Sequence, residues 1–355
     1  MSRFLSSRMT GLKPYTPGEQ PQIKNLIKLN TNESPFSPSP KAVEMAAAAA
    51  RDLQLYPDPE CRVLTETLAE RLGVDFDQVL VTNGSDEILN FAFMAFCDEE
   101  REAIFPDITY GFYKVFAQLN GVTYREIPLD RDLKIDLSDY SGLNGTVFIA
   151  NPNAPTGIYI TVEEIEKLVK SNPDNLFVID EAYVDFGNQS AVPLVKKYDN
   201  ILVTQTFSKS RSMAGARLGF GVGNKELISA MNTIKYSTNP YNINKMTMAA
   251  GIGVLSDEEY TKENCRIICQ NREYTKTELL KLGFEVTDSR SNFIFAKNPG
   301  ISGEKIYLEL RKRGILVRHF GGDRITDYNR ITIGTKEQMD KFLEAIKEIL
   351  KEEEQ

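Results

Sequence analysis

The chain has 355 residues, 41% hydrophobic and 26% charged, the proportions of an ordinary globular protein with room for one large domain and a smaller one. Its formal charge of -8, and the lack of any basic stripe able to displace phosphate counterions, argue against a nucleic-acid or membrane-surface partner. Four cysteines without C-x-x-C spacing and a single histidine, His319, leave no disulfide framework, zinc sphere or histidine-based triad to expect.

Residues 1–30 are rich in Pro, Gly and polar groups, as in Lys13-Pro14-Tyr15-Thr16-Pro17-Gly18, and are read as an extended arm. The alanine run 46–50 falls within a helical, polar-flanked segment and is too short for a membrane span. From 79 to about 222, short β-rich runs (79–82, 103–105, 122–127, 146–150, 176–179, 201–204, 218–222) alternate with helical patterns that include 86–97, 109–120 and 161–171. Such alternation predicts an α/β fold with a mostly parallel central sheet flanked by helices. A long helix over about 257–283 follows. The order then becomes strand 285–286, strand 292–296, helix 303–313, strand 315–318, strand 330–333 and helix 336–351. This predicts a large domain over 31–265 and a smaller C-terminal α/β domain over 266–355. Cys265 and Cys269 stand four apart on the long helix, and with no further Cys or His to complete a sphere they are read as buried thiols; no metal is expected. Reduced cysteines and the absence of a signal-peptide pattern point to a cytoplasmic protein.

The chemistry concentrates in Thr206-Phe207-Ser208-Lys209, Arg217 and Asp180-Glu181-Ala182-Tyr183. Lys209 follows the run 201–204 and Asp180 follows 176–179, so both fall beyond strand carboxyl ends, where ligands of open α/β sheets gather. An amine, a carboxylate, a phenol and a guanidinium are the groups that hold pyridoxal phosphate. Lys209 would be the Schiff-base lysine and proton shuttle, Asp180 the partner of the pyridinium nitrogen, and Tyr183 the neighbour of the ring's phenolic oxygen. Arg217 offers a fork to a phosphate, helped by the hydroxyls of Thr206 and Ser208.

Thr82-Asn83-Gly84-Ser85-Asp86-Glu87 leads from a strand into a helix, with Ser85 as the expected N-cap. The backbone N–H groups of Gly84, Ser85 and Asp86 suit a phosphate, although the two acids oppose an anion and plain helix capping explains the same residues. Tyr110 either stacks on a cofactor ring or packs in the core. In the turn Asn151-Pro152-Asn153-Ala154-Pro155-Thr156-Gly157, Asn153 either donates to the phenolate oxygen of the cofactor or belongs to a rigid loop without function.

Together these residues resemble the fold-type I, aspartate-aminotransferase-like pyridoxal-phosphate enzymes, and more narrowly the histidinol-phosphate aminotransferase family. The resemblance runs over essentially the whole chain. It includes Pro14-Tyr15 with Pro17-Gly18-Glu19, Leu29-Asn30-Thr31-Asn32-Glu33-Ser34-Pro35, Tyr56-Pro57-Asp58, Asn83 to Glu87, the Asn-Pro turn and the Lys209 motif. It implies a homodimer in which Tyr56 reaches the cofactor phosphate of the neighbouring subunit. It also implies that Arg330 grips the anionic end of the substrate, with Arg318, Tyr15 and Asn32 in the same pocket. The chain departs from many superfamily members at Ala154, where a second Asn is common.

The implied reaction is ping-pong transfer of the amino group of L-histidinol phosphate to 2-oxoglutarate, giving imidazole acetol phosphate and L-glutamate. A threonine-phosphate decarboxylase and a broad aromatic aminotransferase are the competing enzymes, although the former's relatives typically begin with a His-Gly-Gly segment that is missing here. A cofactor-sensing regulator would need a DNA-binding module for which the segment before the arm has no room. A catalytically dead interaction protein is disfavoured by the presence of Lys209, Asp180 and Arg217 together.

Overall fold

The computed structural model describes residues 3–6, 9–21 and 25–353. Strand β1 (Ile27–Lys28) leads to helices α1 (Pro40–Ala49) and α2 (Arg62–Leu72). Then follow β2 (Val79–Thr82), α3 (Ser85–Phe96), β3 (Glu102–Pro106), α4 (Phe112–Asn120), β4 (Tyr124–Ile127), β5 (Gly145–Ala150), α5 (Val162–Ser171), β6 (Leu176–Asp180), β7 (Ile201–Thr206) and β8 (Gly219–Val222). Helices α6 (Lys225–Thr238), α7 (Lys245–Leu255) and α8 (Glu258–Lys281) lead to β9 (Glu285–Val286), β10 (Phe293–Lys297), α9 (Gly303–Lys312), β11 (Ile315–Leu316), β12 (Arg318–His319), β13 (Asn329–Thr332) and α10 (Lys336–Glu353).

All seven strands expected between 79 and 222 form, and they make one sheet in the order β2-β8-β7-β6-β5-β3-β4. Strands β5, β6 and β7 are buried on both faces along nearly their whole length, which is why they read as largely apolar runs without alternation. Only β8 is reversed, pairing antiparallel with both β2 and β7. One apolar core lies around Val147, Ile149, Phe177, Val203 and Phe220. Another, around Phe293, Ile306, Ile331 and Phe342, belongs to the antiparallel sheet β12-β13-β10-β9 and its helices.

Three differences from the sequence reading have local causes. The end of the expected arm is structured: β1 pairs with β11, and Leu29 is buried in the second core. The expected strand 315–318 is two strands in two sheets, because β11 pairs with β1 and β12 pairs with β13. Helix α7 has no polar face to announce it; it is packed on most sides, and a Cβ at Gly253 would lie 2.7 Å from the Lys41 carbonyl of α1. Residue 265, taken as the end of the large domain, lies within helix α8, the long helix in or near which the boundary is expected. Among the described residues no helix is long and apolar enough to cross a membrane.

Candidate active site

Strands β5, β6 and β7 end side by side, with Ala150 beside Asp180 and Asp180 beside Thr204. Reversed β8 starts at the same edge, Gly219 lying opposite both Thr206 and Thr82. The turn before β8 therefore brings Arg217 to the place where β2 hands over to α3. One cavity collects Ser85, Asp86, Tyr110, Asp180, Tyr183, Thr206, Ser208, Lys209 and Arg217 along this edge.

Asp180 is buried (4% exposed), and burial pushes its carboxyl up to about 7. The Tyr113 hydroxyl donates to its Oδ2 at 3.1 Å and the Ala182 amide to its Oδ1 at 3.3 Å. Burial, and then the nearby Arg330 charge, push the Lys209 amine down to about 8. Its Nζ donates to the Thr31 carbonyl at 3.2 Å. The Tyr183 hydroxyl accepts from Asn32 Nδ2 at 2.8 Å, and its ring stands edge-on to Phe293. Asn32 is fixed in turn by Thr332, whose hydroxyl accepts from the Asn32 amide N–H and donates to its side-chain Oδ1.

At the other end of the cavity the Asp86 carboxylate accepts from Arg217 Nη2 at 3.0 Å and from the Tyr110 hydroxyl at 2.7 Å. The acid that seemed to oppose an anion is thus the internal partner of the guanidinium. Thr206 Oγ1 donates to Ser208 Oγ at 3.0 Å and accepts from the Ser208 amide at 3.1 Å, which fixes both hydroxyls beside it. The cap of α3 is Gly84, with Ser85 as the first helical residue. Gly84 sits at φ 79°, ψ 163°, and a Cβ there would lie 2.6 Å from Arg217 Nη2. Ser85 was expected as the cap; the close approach of Arg217 and the positive φ demand glycine instead.

An adjoining cavity shares Tyr110, Ala154, Tyr183 and Lys209 with the first and adds Tyr15, Asn32, Arg318, Phe320 and Arg330. The Arg330 guanidinium lies 5.4 Å from the Phe293 ring centroid and 5.7 Å from that of Phe320, donates from Nη2 to the Asn30 carbonyl at 3.1 Å, and leaves its buried Nε without a partner. Arg318 donates to the carbonyls of Thr16 (3.1 Å) and Pro17 (3.4 Å). The arm is held from both sides: Tyr15 stacks on Phe112 at 4.2 Å, and Glu19 takes two hydrogen bonds from Arg311.

A family model described as aminotransferase class I and II matches residues 24–346. The chain belongs to that family. A histidinol-phosphate aminotransferase of Brachyspira hyodysenteriae is 49% identical over 353 residues, covering 99% of this chain and 100% of the relative. A crystal structure of the histidinol-phosphate aminotransferase from Clostridium acetobutylicum superposes with a TM-score of 0.84 at 28% identity, covering 91% of this chain and 99% of that one. The enzyme of the same name from Sinorhizobium meliloti, in complex with pyridoxal-5'-phosphate, shares the fold with a TM-score of 0.90 at 24% identity and covers 99% of each chain.

Asn153 and Tyr56 of this aminotransferase line neither cavity. Asn153 is buried, but its Nδ2 donates to the Ile108 carbonyl and the Thr156 hydroxyl while its Oδ1 accepts from Thr109. Both amide hydrogens are thereby used by the protein itself, one within the turn and one on the segment that follows β3, and the neighbouring Ala154 lines the cavity. Tyr56 stands outside both cavities, 79% exposed and stacked on Tyr241 at 4.6 Å. Sequence reasoning passed over Thr31, whose contribution is a backbone carbonyl that no side-chain pattern reveals, and Tyr113. The only signal for Tyr113 was its spacing of three from Tyr110 in the expected helix 109–120; α4 in fact starts at Phe112, and Tyr110 lies just before it.

Proposed function

We propose that this aminotransferase moves the amino group of L-histidinol phosphate to 2-oxoglutarate, giving imidazole acetol phosphate and L-glutamate, in the histidine biosynthesis of the cytoplasm. The observation that carries this reading is the convergence of Lys209, Asp180 and Arg217 on one cavity that opens into a second containing Arg330. Relatives of 49% and 46% identity over 99% of the chain bear the corresponding name.

The residues present fit pyridoxal 5'-phosphate. Arg217 and the start of α3 form an anion cradle that a Cβ on Gly84 would fill, and amine and carboxylate lie beyond it. When bound, the cofactor supplies an aldehyde carbon and an electron-withdrawing ring that carries the amino group between two half-reactions. Arg217, the Thr206 and Ser208 hydroxyls and the backbone N–H groups of Ser85 and Asp86 hold the phosphate. Asp180 would accept from the ring nitrogen, and Tyr183, fixed by Asn32, would serve the ring hydroxyl. Tyr110, which lines the cavity, would pack against the ring.

Lys209 would be the residue that binds the cofactor's aldehyde carbon and, as a free amine, would move the proton at the substrate carbon. An amine near 8 is neutral often enough near physiological pH to act as a base. Arg330 grips the substrate anion, assisted by Arg318, while Tyr15 and Asn32 line the pocket. A phosphate and a carboxylate occupy this pair by turns in the two half-reactions, hence ping-pong kinetics. We place Tyr56 in the site of a second subunit: it is exposed beside Leu53 (55% exposed) and Leu55 (62% exposed), an apolar surface suited to a two-fold homodimer.

The test is a donor panel of histidinol phosphate, threonine phosphate, phenylalanine and tyrosine, following the cofactor spectrum together with carbon dioxide release. The expected result is a spectral half-reaction driven best by histidinol phosphate, no carbon dioxide, and parallel steady-state plots with 2-oxoglutarate. Carbon dioxide from threonine phosphate, preference for an aromatic donor, or intersecting plots would each overturn the assignment.

A further inference from the structure

The turn entering α4 carries two phenols, and each closes on a different carboxylate of the cofactor cavity. Tyr110 donates to Asp86 at 2.7 Å and Tyr113 donates to Asp180 Oδ2 at 3.1 Å. Tyr113 stands behind Asp180, fully buried, with its ring against Phe105, Tyr110 and Phe148 at centroid distances of 5.7, 5.7 and 5.8 Å. A phenylalanine would make those ring contacts equally well. The hydroxyl adds only its bond to Asp180, and a buried hydroxyl without a partner is destabilising, so its presence has to be explained through that bond.

We propose that Tyr113 is a positioning residue for the transamination: its hydroxyl holds the Asp180 carboxylate ionised and in a fixed rotamer, ready to accept from the cofactor's ring nitrogen. This rests on the reading of Asp180 as the partner of that nitrogen. A carboxylate offers about four lone-pair sites. Tyr113 takes one on Oδ2 and the Ala182 amide one on Oδ1, so the Asp180 face that lines the cavity keeps two for a ligand.

The need for such a donor follows from the surroundings of Asp180. Burial favours its neutral form, and so does Asp86 at the start of α3. Against them stand the Tyr113 hydroxyl, the Ala182 amide and the Lys209 amine beyond β7; Tyr110 and Tyr183 are phenols that stay neutral, held high by burial. With the carboxyl near 7, the balance is close enough for one charge-assisted hydrogen bond to decide it. A protonated Asp180 would present a donor hydrogen, or a much weaker acceptor, to a ring nitrogen that must carry a proton.

The experiment measures pyridoxal 5'-phosphate affinity of the apo-protein for wild type, Tyr113→Phe, Asp180→Asn and the double variant. Tyr113→Phe is expected to weaken binding about tenfold at pH 7.5, increasingly as pH falls, and to change it less than twofold in the Asp180→Asn background. An equal loss in both backgrounds marks a packing role and overturns the proposal, as does no loss in either. Asp180→Asn that binds as tightly as wild type overturns the reading of Asp180 itself, and the proposal with it. Carboxyl NMR of the apo-protein, with the Asp180 signal assigned by its loss in Asp180→Asn, gives a readout free of cofactor. Tyr113→Phe should raise its titration midpoint by about one to two pH units, and an unmoved midpoint overturns the proposal.

Discussion

Gly84→Ala separates the backbone requirement of the phosphate cradle from that of the fold. Gly84 occupies φ 79°, ψ 163°, a region that only glycine adopts without strain. Forcing an alanine there costs on the order of 1–3 kcal/mol. The added Cβ would also sit 2.6 Å from Arg217 Nη2 and 3.2 Å from its Cζ, so the guanidinium must leave its place. Its ion pair with Asp86 is partly exposed, at 46% and 34%, so losing that pair adds at most about 1 kcal/mol to the destabilisation. The larger consequence is for the ligand: a displaced Arg217 forfeits a charge-assisted hydrogen bond to phosphate of about 1.5–3 kcal/mol, roughly tenfold to a hundredfold in affinity. Gly121→Ala is the control, since Gly121 also has a positive φ (69°) but nothing within 4 Å of its Cβ. Urea unfolding of the apo-proteins should show both variants destabilised, while titration with pyridoxal 5'-phosphate should show only Gly84→Ala weakened. A Gly84→Ala protein that binds as tightly as Gly121→Ala would refute the placement of the phosphate at Arg217 and the start of α3.

Other expectations follow from the same geometry. Acylation of Lys209 in the apo-protein, followed by peptide mass spectrometry against pH, should titrate near 8, and Arg330→Gln should raise the midpoint because a neighbouring cation no longer disfavours the ammonium form. Asp180 titrates near 7 when folded and near 3.9 when unfolded, so the folded state holds the extra proton between those values and the aspartate's burden on stability grows as pH rises through them. The stability of Asp180→Asn relative to wild type should therefore climb between about pH 4 and 7, by on the order of a few kcal/mol, and level off above; a flat difference in urea unfolding would contradict the buried carboxyl. Refolding Lys209→Ala together with Tyr56→Ala should restore about a quarter of wild-type activity through hybrid dimers holding one intact site, whereas no recovery would argue against shared sites.

Much of this arrangement could be read from the residues, because parallel α/β sheets place chemistry at strand carboxyl ends. Asp180 and Lys209 followed apolar runs that had to be buried strands, and the structure sets them at one edge. What could not be read was direction and hydrogen-bond economy. The run 218–222 looks like its neighbours, and nothing in its composition says that β8 is reversed, yet the reversal is what returns Arg217 to the edge. Asn153 has the right chemistry for a ligand contact, but its amide is used by Ile108 and Thr156, partners fixed only once the turn is folded. Tyr113 looked like one more aromatic of α4, since burial hides a phenol's function as readily as it hides a phenylalanine.

Three charged groups of the two cavities share one electrical property. Burial drives Asp180 toward its acid form and both Lys209 and Arg330 away from their cationic forms, so each is held in a place where its own charge is disfavoured. Solvated residues would avoid that penalty but would bring water to the reacting carbon and weaken every contact made there. A protonated ring nitrogen beside Asp180 and an anionic substrate group beside Arg330 would each restore the charged form of its neighbour. Ligand affinity and the protonation states needed for reaction then have a common origin. It also follows that bound ligand should flatten the pH dependence of stability which Asp180 imposes on the apo-protein, because the carboxylate would stay ionised through the window in which it otherwise takes up a proton.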